Sequence, residues 1–91
     1  MYQKTVIVVS DSSLHARPAS EFVRLASTFR SELFVEFPGK KINAKSIIGV
    51  LSAGIGNGVE VVITGEGIDS EEAVERLCRF LSEELQEMDR Y

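Results

Sequence analysis

The stretch Leu33-Phe34-Val35-Glu36-Phe37-Pro38-Gly39-Lys40-Lys41-Ile42-Asn43 decides how this chain folds. Leu33 to Phe37 alternates as a strand does, with Leu33, Val35 and Phe37 on one face and Phe34 and Glu36 on the other. Pro38-Gly39 reverses it into a short second arm, Lys40 to Asn43, and the two arms read as a hairpin. The β-α-β connection ahead of it contains a helix but feeds this hairpin, which suits an antiparallel sheet of four strands.

Upstream, Thr5 to Val9 is rich in β-branched residues and reads as a buried strand, ended by the turn-forming cluster Asp11-Ser12-Ser13. From Ala16 to about Thr28 the apolar residues Ala19, Phe22, Val23, Ala26 and Phe29 recur at helical spacing, with Glu21, Arg24 and Ser27 between them. Downstream, Lys45 to Leu51 reads as a short helix with Ser46 in the N-cap position. Gly54 to Gly58 is a loop, and Val59 to Thr64 a further strand. The last element is a helix with Asp69 as N-cap and Glu72 three residues later, a capping-box-like pair. Its apolar stripe is Val74, Leu77, Leu81, Leu85 and Met88, with Cys78 beside it. The order β-α-β-β-α-β-α predicts an α+β fold, an open-faced two-layer sandwich with three helices on one face of the sheet. The length of 91 residues predicts one domain.

Composition excludes several functions. With 44% apolar and 26% charged residues the chain has what a globular core needs and is not a disordered one. The net charge of −4 argues against nucleic acid, because a sequence-independent binder needs surplus cations to displace counterions from phosphates. No apolar run approaches the roughly 20 residues that cross a bilayer, so no membrane insertion is expected. The polar Gln3-Lys4 start and the single Cys78 point to a reducing, cytoplasmic setting. One histidine and one distant cysteine do not make a metal site, and no cofactor is expected.

Chemistry concentrates in Ser13-Leu14-His15-Ala16-Arg17-Pro18-Ala19-Ser20. Proline costs little in the first turn of a helix, where N–H groups have no partner anyway. His15 therefore stands just ahead of a helix start, beside free N–H groups and the positive end of a helix dipole. That is a place for an anion. The dipole and Arg17 both disfavour an imidazolium, which predicts a lowered His15 pKa and a neutral ring fit to attack phosphorus. Once phosphorylated, the ring's phosphoryl oxygens would be held at Ala16 and by Arg17, whose guanidinium can donate two hydrogen bonds. Ala16, being small, leaves room for a partner's active site. The half of the chain carrying His15 is the more basic, with Arg24 and Lys45 among its cations, which favours acidic partners. Lys45 with Ile47, Ile48 and Leu51 would form a docking surface. By physics alone Ser46 reads as a cap.

These residues resemble a known family. Leu14-His15-Ala16-Arg17-Pro18-Ala19, with Lys45-Ser46-Ile47 and Ser52-Ala53-Gly54-Ile55, is similar to HPr, the histidine-containing phosphocarrier of the bacterial phosphoenolpyruvate-dependent sugar phosphotransferase system. The resemblance implies that His15 accepts phosphate from phosphorylated enzyme I and passes it to the IIA domains of sugar permeases, with Arg17 assisting. It implies that the protein is not itself an enzyme. It also implies that Ser46 is a regulatory site, modified by HPr kinase/phosphorylase and then read by a catabolite-control transcription regulator. An HPr-like regulatory protein working mainly through phosphorylated Ser46 is the alternative. Two positions depart from the family pattern: Ser13 where glycine is usual, and Ile48 where methionine is frequent.

Overall fold

A computed structural model describes residues 1–10 and 16–88. Four strands, β1 (Tyr2–Ile7), β2 (Glu32–Phe37), β3 (Lys40–Asn43) and β4 (Glu60–Glu66), form one sheet in the order β1-β4-β2-β3. All three pairings are antiparallel. Three helices join them: α1 (Ala16–Ser27), α2 (Ile47–Ser52) and α3 (Ser70–Arg79). The last runs on through a π-helical turn, Phe80–Glu84, into a final turn α4 (Leu85–Met88). This is the predicted open-faced sandwich.

The hairpin closes as its sequence dictates. Phe37 pairs with Lys40, leaving Pro38 and Gly39 as the two corner residues. Proline holds φ near −65° at the first corner, and Gly39 supplies φ +80 at the second, the combination a type II turn requires. Leu33 and Val35 point into the core, while Phe34 and Glu36 lie on the open face. There Thr64 Oγ1 donates to the Glu36 carboxylate at 2.7 Å, and the Lys41 ammonium sits 4.5 Å above the Phe34 ring. These contacts cover part of the uncovered side without a second layer.

Between sheet and helices lies the core: Phe22 and Ala26 of α1, Leu33 and Val35 of β2, Ile63 of β4, and Val74, Leu77, Leu81 and Leu85 from the C-terminal helix. Each fully buried residue of this size contributes about 1.5–3 kcal/mol. The Phe22 and Phe80 rings tilt against each other at 5.9 Å between centroids. Cys78 fills core volume as a free thiol, and burial pushes its pKa up to about 11, so it is an inert small hydrophobe at neutral pH.

Besides β4, which spans Glu60–Glu66 and not Val59 to Thr64 because Gly65 and Glu66 still pair with their neighbours, three details differ from the sequence reading. First, β1 spans Tyr2–Ile7, not Thr5 to Val9. Polar Lys4 is tolerated in this edge strand because its ammonium meets Glu75 of α3 at 2.7 Å, and the Tyr2 hydroxyl also donates to Glu75. Val8 and Val9 leave the ladder for other partners. Second, Asp69 and Glu72 do not form a capping box. The Asp69 side chain makes no cap bond to its own helix, and Glu72 stays exposed. Third, the C-terminal stripe does not run on as one α-helix. The Leu85 N–H reaches back to the Phe80 carbonyl, one residue further than an α-helical bond would. The Leu81 carbonyl accepts instead from Val9 N–H, at 3.0 Å.

Candidate functional site

The chain between β1 and α1 carries the predicted phosphoryl acceptor. His15, its expected lowered pKa and the Asp11-Ser12-Ser13 turn lie outside the described residues, as does the side chain of Ala16. What launches and receives that segment is described. On the entry side, Val8 N–H donates to Val59 O at 2.9 Å, and Gly58 N–H donates back to Val8 O at 2.8 Å. Ser10 N–H donates to Asn57 Oδ1 at 2.9 Å. With the Val9–Leu81 bond, four hydrogen bonds from two separate elements fix residues 8–10. The π turn is part of this anchorage, since its shifted register leaves the Leu81 carbonyl for Val9.

On the exit side α1 begins at Ala16, as the proline in its first turn predicts. Pro18 and Ala19 are buried, and Arg17 is exposed at that first turn. Arg17 belongs to the first turn of a twelve-residue helix, whose leading N–H groups have no intrahelical acceptor, a setting that favours an incoming anion.

Ser46 caps α2 as expected. It is extended, at φ −105 and ψ 112, and its Oγ accepts from Gly49 N–H at 3.1 Å. The cap is itself held, because Ser46 N–H donates to Asn43 O at 3.0 Å, and Asn43 Oδ1 accepts from Lys45 N–H at 2.8 Å. The residue is half-buried.

The predicted docking residues fall on the two helices. Ile47, Ile48 and Leu51 are exposed on α2, Ile48 to 76%, beside one another at spacings that place them on one side of the helix. The helix α2 packs against α1, which carries Arg17 and Arg24. The Lys45 ammonium donates to the Phe29 carbonyl at 2.8 Å and ties the start of α2 to the end of α1. Arg24 is exposed but paired with Glu21 one turn earlier, a partner the sequence reading passed over although the i, i+3 spacing signals it.

Among the described residues no cluster of three His, Cys, Asp or Glu side chains is placed to hold a metal ion. Among the same described residues no helix is long and apolar enough to cross a membrane. The arrangement is thus a helix N-terminus with an arginine, a capping serine at the start of a second helix, and an exposed apolar strip on that second helix.

The family description "PTS HPr component phosphorylation site" matches residues 2–83 of this chain. The HPr-like protein Crh of Halalkalibacterium halodurans is 46% identical over 84 residues, covering 92% of this chain and all of that protein. Among solved structures, HPr-C-His from Thermoanaerobacter tengcongensis superposes with a TM-score of 0.87 at 41% identity, covering 93% of this chain and 96% of that one. The phosphocarrier protein HPr of Bacillus anthracis gives 0.85 at 46% identity, with coverage of 89% and 96%. A match through both helix starts and every strand, at this identity and with this fold, makes the chain a member of the HPr family of phosphocarrier proteins.

Proposed function

We propose that this protein carries a phosphoryl group on His15, taken from phosphorylated enzyme I and given to IIA domains of sugar permeases in the cytoplasm. The observation that carries the reading is the sequence His15-Ala16-Arg17-Pro18 running into the first turn of α1, inside the segment matched by the family. A neutral imidazole attacks phosphorus, and the Arg17 guanidinium and the N–H groups of the helix start neutralise the oxygens it receives. HPr-family proteins do not catalyse this transfer alone; each step uses the partner's active site. Phosphorylation of Ser46 by HPr kinase/phosphorylase would regulate it. A phosphate there would keep an oxygen in the cap position, so α2 survives while the docking strip gains negative charge that repels acidic partners.

A second reading has its own support. One relative is the HPr-like protein Crh, and the Ser46 surroundings here are fully formed. In that reading phosphorylated Ser46 is the working state, recognised by a catabolite-control transcription regulator, and transfer through His15 is secondary.

Intact mass after incubation with enzyme I and phosphoenolpyruvate separates the two. Gain of one acid-labile phosphate, lost in His15→Ala, is the expected result. An acid-stable phosphate that appears only with kinase and ATP, without transfer to a IIA domain, would favour the regulatory reading instead.

A further inference from the structure

The α1 face that carries Arg17 also carries Glu21 and Arg24, one turn apart each. The Glu21 carboxylate is bonded to the Arg24 guanidinium, with the arginine side chain 75% exposed and the glutamate 39%. Exposed pairs of this kind contribute little to stability, so the pair is not there to hold α1 together. Its surroundings add to the effect. Glu21 and Arg24 form one wall of a cleft of about 650 Å³ between α1 and the C-terminal helix, and Arg76, Glu84 and Glu87 form the other. Arg76 is committed to Glu84 through two hydrogen bonds of 2.9 and 3.0 Å. Three carboxylates thus face two guanidinia, each of which is already bonded to a carboxylate.

We propose that Glu21 is a specificity-determining residue for partner docking: it holds Arg24 in an intrahelical pair and makes this end of α1 unattractive to an acidic surface. The inference deepens the carrier reading and rests on it. A donor protein that meets the α1–α2 face then gains its charge complementarity near Arg17, and its remaining contact energy from the apolar strip of Ile47, Ile48 and Leu51. A partner presenting carboxylates over the second turn of α1 is slowed. One presenting a lysine or arginine there is not.

The test is the apparent second-order rate of phosphoryl acceptance from phosphorylated enzyme I, measured across ionic strength, for wild type, Glu21→Gln, Arg24→Gln and the double variant. Releasing Arg24 in Glu21→Gln should raise the rate about three- to tenfold at low salt, the scale of electrostatic steering by a single exposed charge. The gain should vanish in about 1 M salt, where the Debye length falls to about 3 Å. Arg24→Gln leaves the Glu21 carboxylate unpaired and should slow wild type, and it should slow the Glu21→Gln background more, because only there is the guanidinium free to bond a partner carboxylate. That non-additivity is what a purely structural role for Glu21 would not produce, and equal melting temperatures of the four proteins check that the fold is intact. Equal rates for wild type and Glu21→Gln at every salt concentration overturn the inference. So does an Arg24→Gln effect of the same size in both backgrounds. A wild type that takes no phosphate at all overturns the carrier reading, and this inference with it.

Discussion

Two helices of this protein begin at a residue whose type marks a cap, and the two side chains do different work. At Ser46 the backbone is extended, ψ 112, and the hydroxyl turns in to accept from its own helix at Gly49. At Asp69 ψ is 25, and the carboxylate swings away from α3. Its oxygens accept from Arg30 N–H and Ser31 N–H, both at 2.9 Å, and from the Ser31 hydroxyl. Yet both helix starts end on the same place. Lys45, beside Ser46, donates to Phe29 O, so the turn that leaves α1 is gripped from α2 through residue 29 and from α3 through residues 30 and 31. The contrast teaches that an N-cap residue type guarantees a hydrogen-bond acceptor at a helix start, not the donor it will serve.

The comparison breaks most sharply at Gly67. A Cβ there would lie 2.7 Å from Ser31 Cα and 2.6 Å from Ser31 Oγ, and the residue has φ +145. Gly67→Ala should therefore part Asp69 from Ser31 and cost about 3 kcal/mol, from overpacking and backbone strain together. Urea unfolding reads this as a lower midpoint at unchanged slope. A cost near zero would mean that the two segments do not meet as closely as stated.

Asp69→Asn comes next and adds a pH signature. The Ser31 hydroxyl and the Arg30 and Ser31 N–H groups hold the Asp69 carboxyl at about 2. Unfolded, an aspartate titrates near about 4. A folded pKa below the unfolded one means that the stabilisation is complete above about pH 4 and is lost as pH falls through about 2. The melting-temperature gap between wild type and Asp69→Asn should thus be open at neutral pH and narrow over that acid range. A gap of constant size from neutral pH downward would assign the effect to something other than this charge.

Ser46→Ala is smaller, about 1 kcal/mol, because it removes one neutral cap at a wet helix end. Its cost should not change across the acid range where the Asp69 effect fades, and parallel pH–melting curves for wild type and Ser46→Ala would confirm the division of labour. Lys45→Met is the smallest, about 0.5 kcal/mol for one solvent-accessible donor on the Phe29 carbonyl. A loss as large as that of Asp69→Asn would show that α2, not α3, is the main clamp on the turn after α1.

The strands β2 and β3, the turn at Pro38-Gly39, the helix α1 and the Ser46 cap were legible because each depends on residues within one turn or one hairpin of each other. The stripe Val74, Leu77, Leu81, Leu85 and Met88 was equally plain: the first four are buried, and the side chain of Met88 lies outside the described residues. The shifted bond between Leu85 and Phe80 was not, since periodicity carries no mark of a register change when a distant N–H, Val9, supplies the reason for it. The same holds for the bond from the Lys45 ammonium to the Phe29 carbonyl, which joins two helices that local spacing does not connect.

For the site, the chain by itself determined its chemical parts: a histidine and an arginine ahead of and within a helix start, a serine at another, and the apolar residues Ile47, Ile48 and Leu51 that follow it. These follow from local spacing, capping and proline stereochemistry. Only the tertiary structure decided how the parts are held and charged. It brought Asn57 and Leu81 to the segment that leads to His15, Asp69 to Ser31, and Glu84 and Glu87 to the far wall of the cleft at Arg24. The reason is physical: a buried or half-buried donor takes whatever acceptor the packing presents, and packing joins residues that sequence spacing keeps far apart.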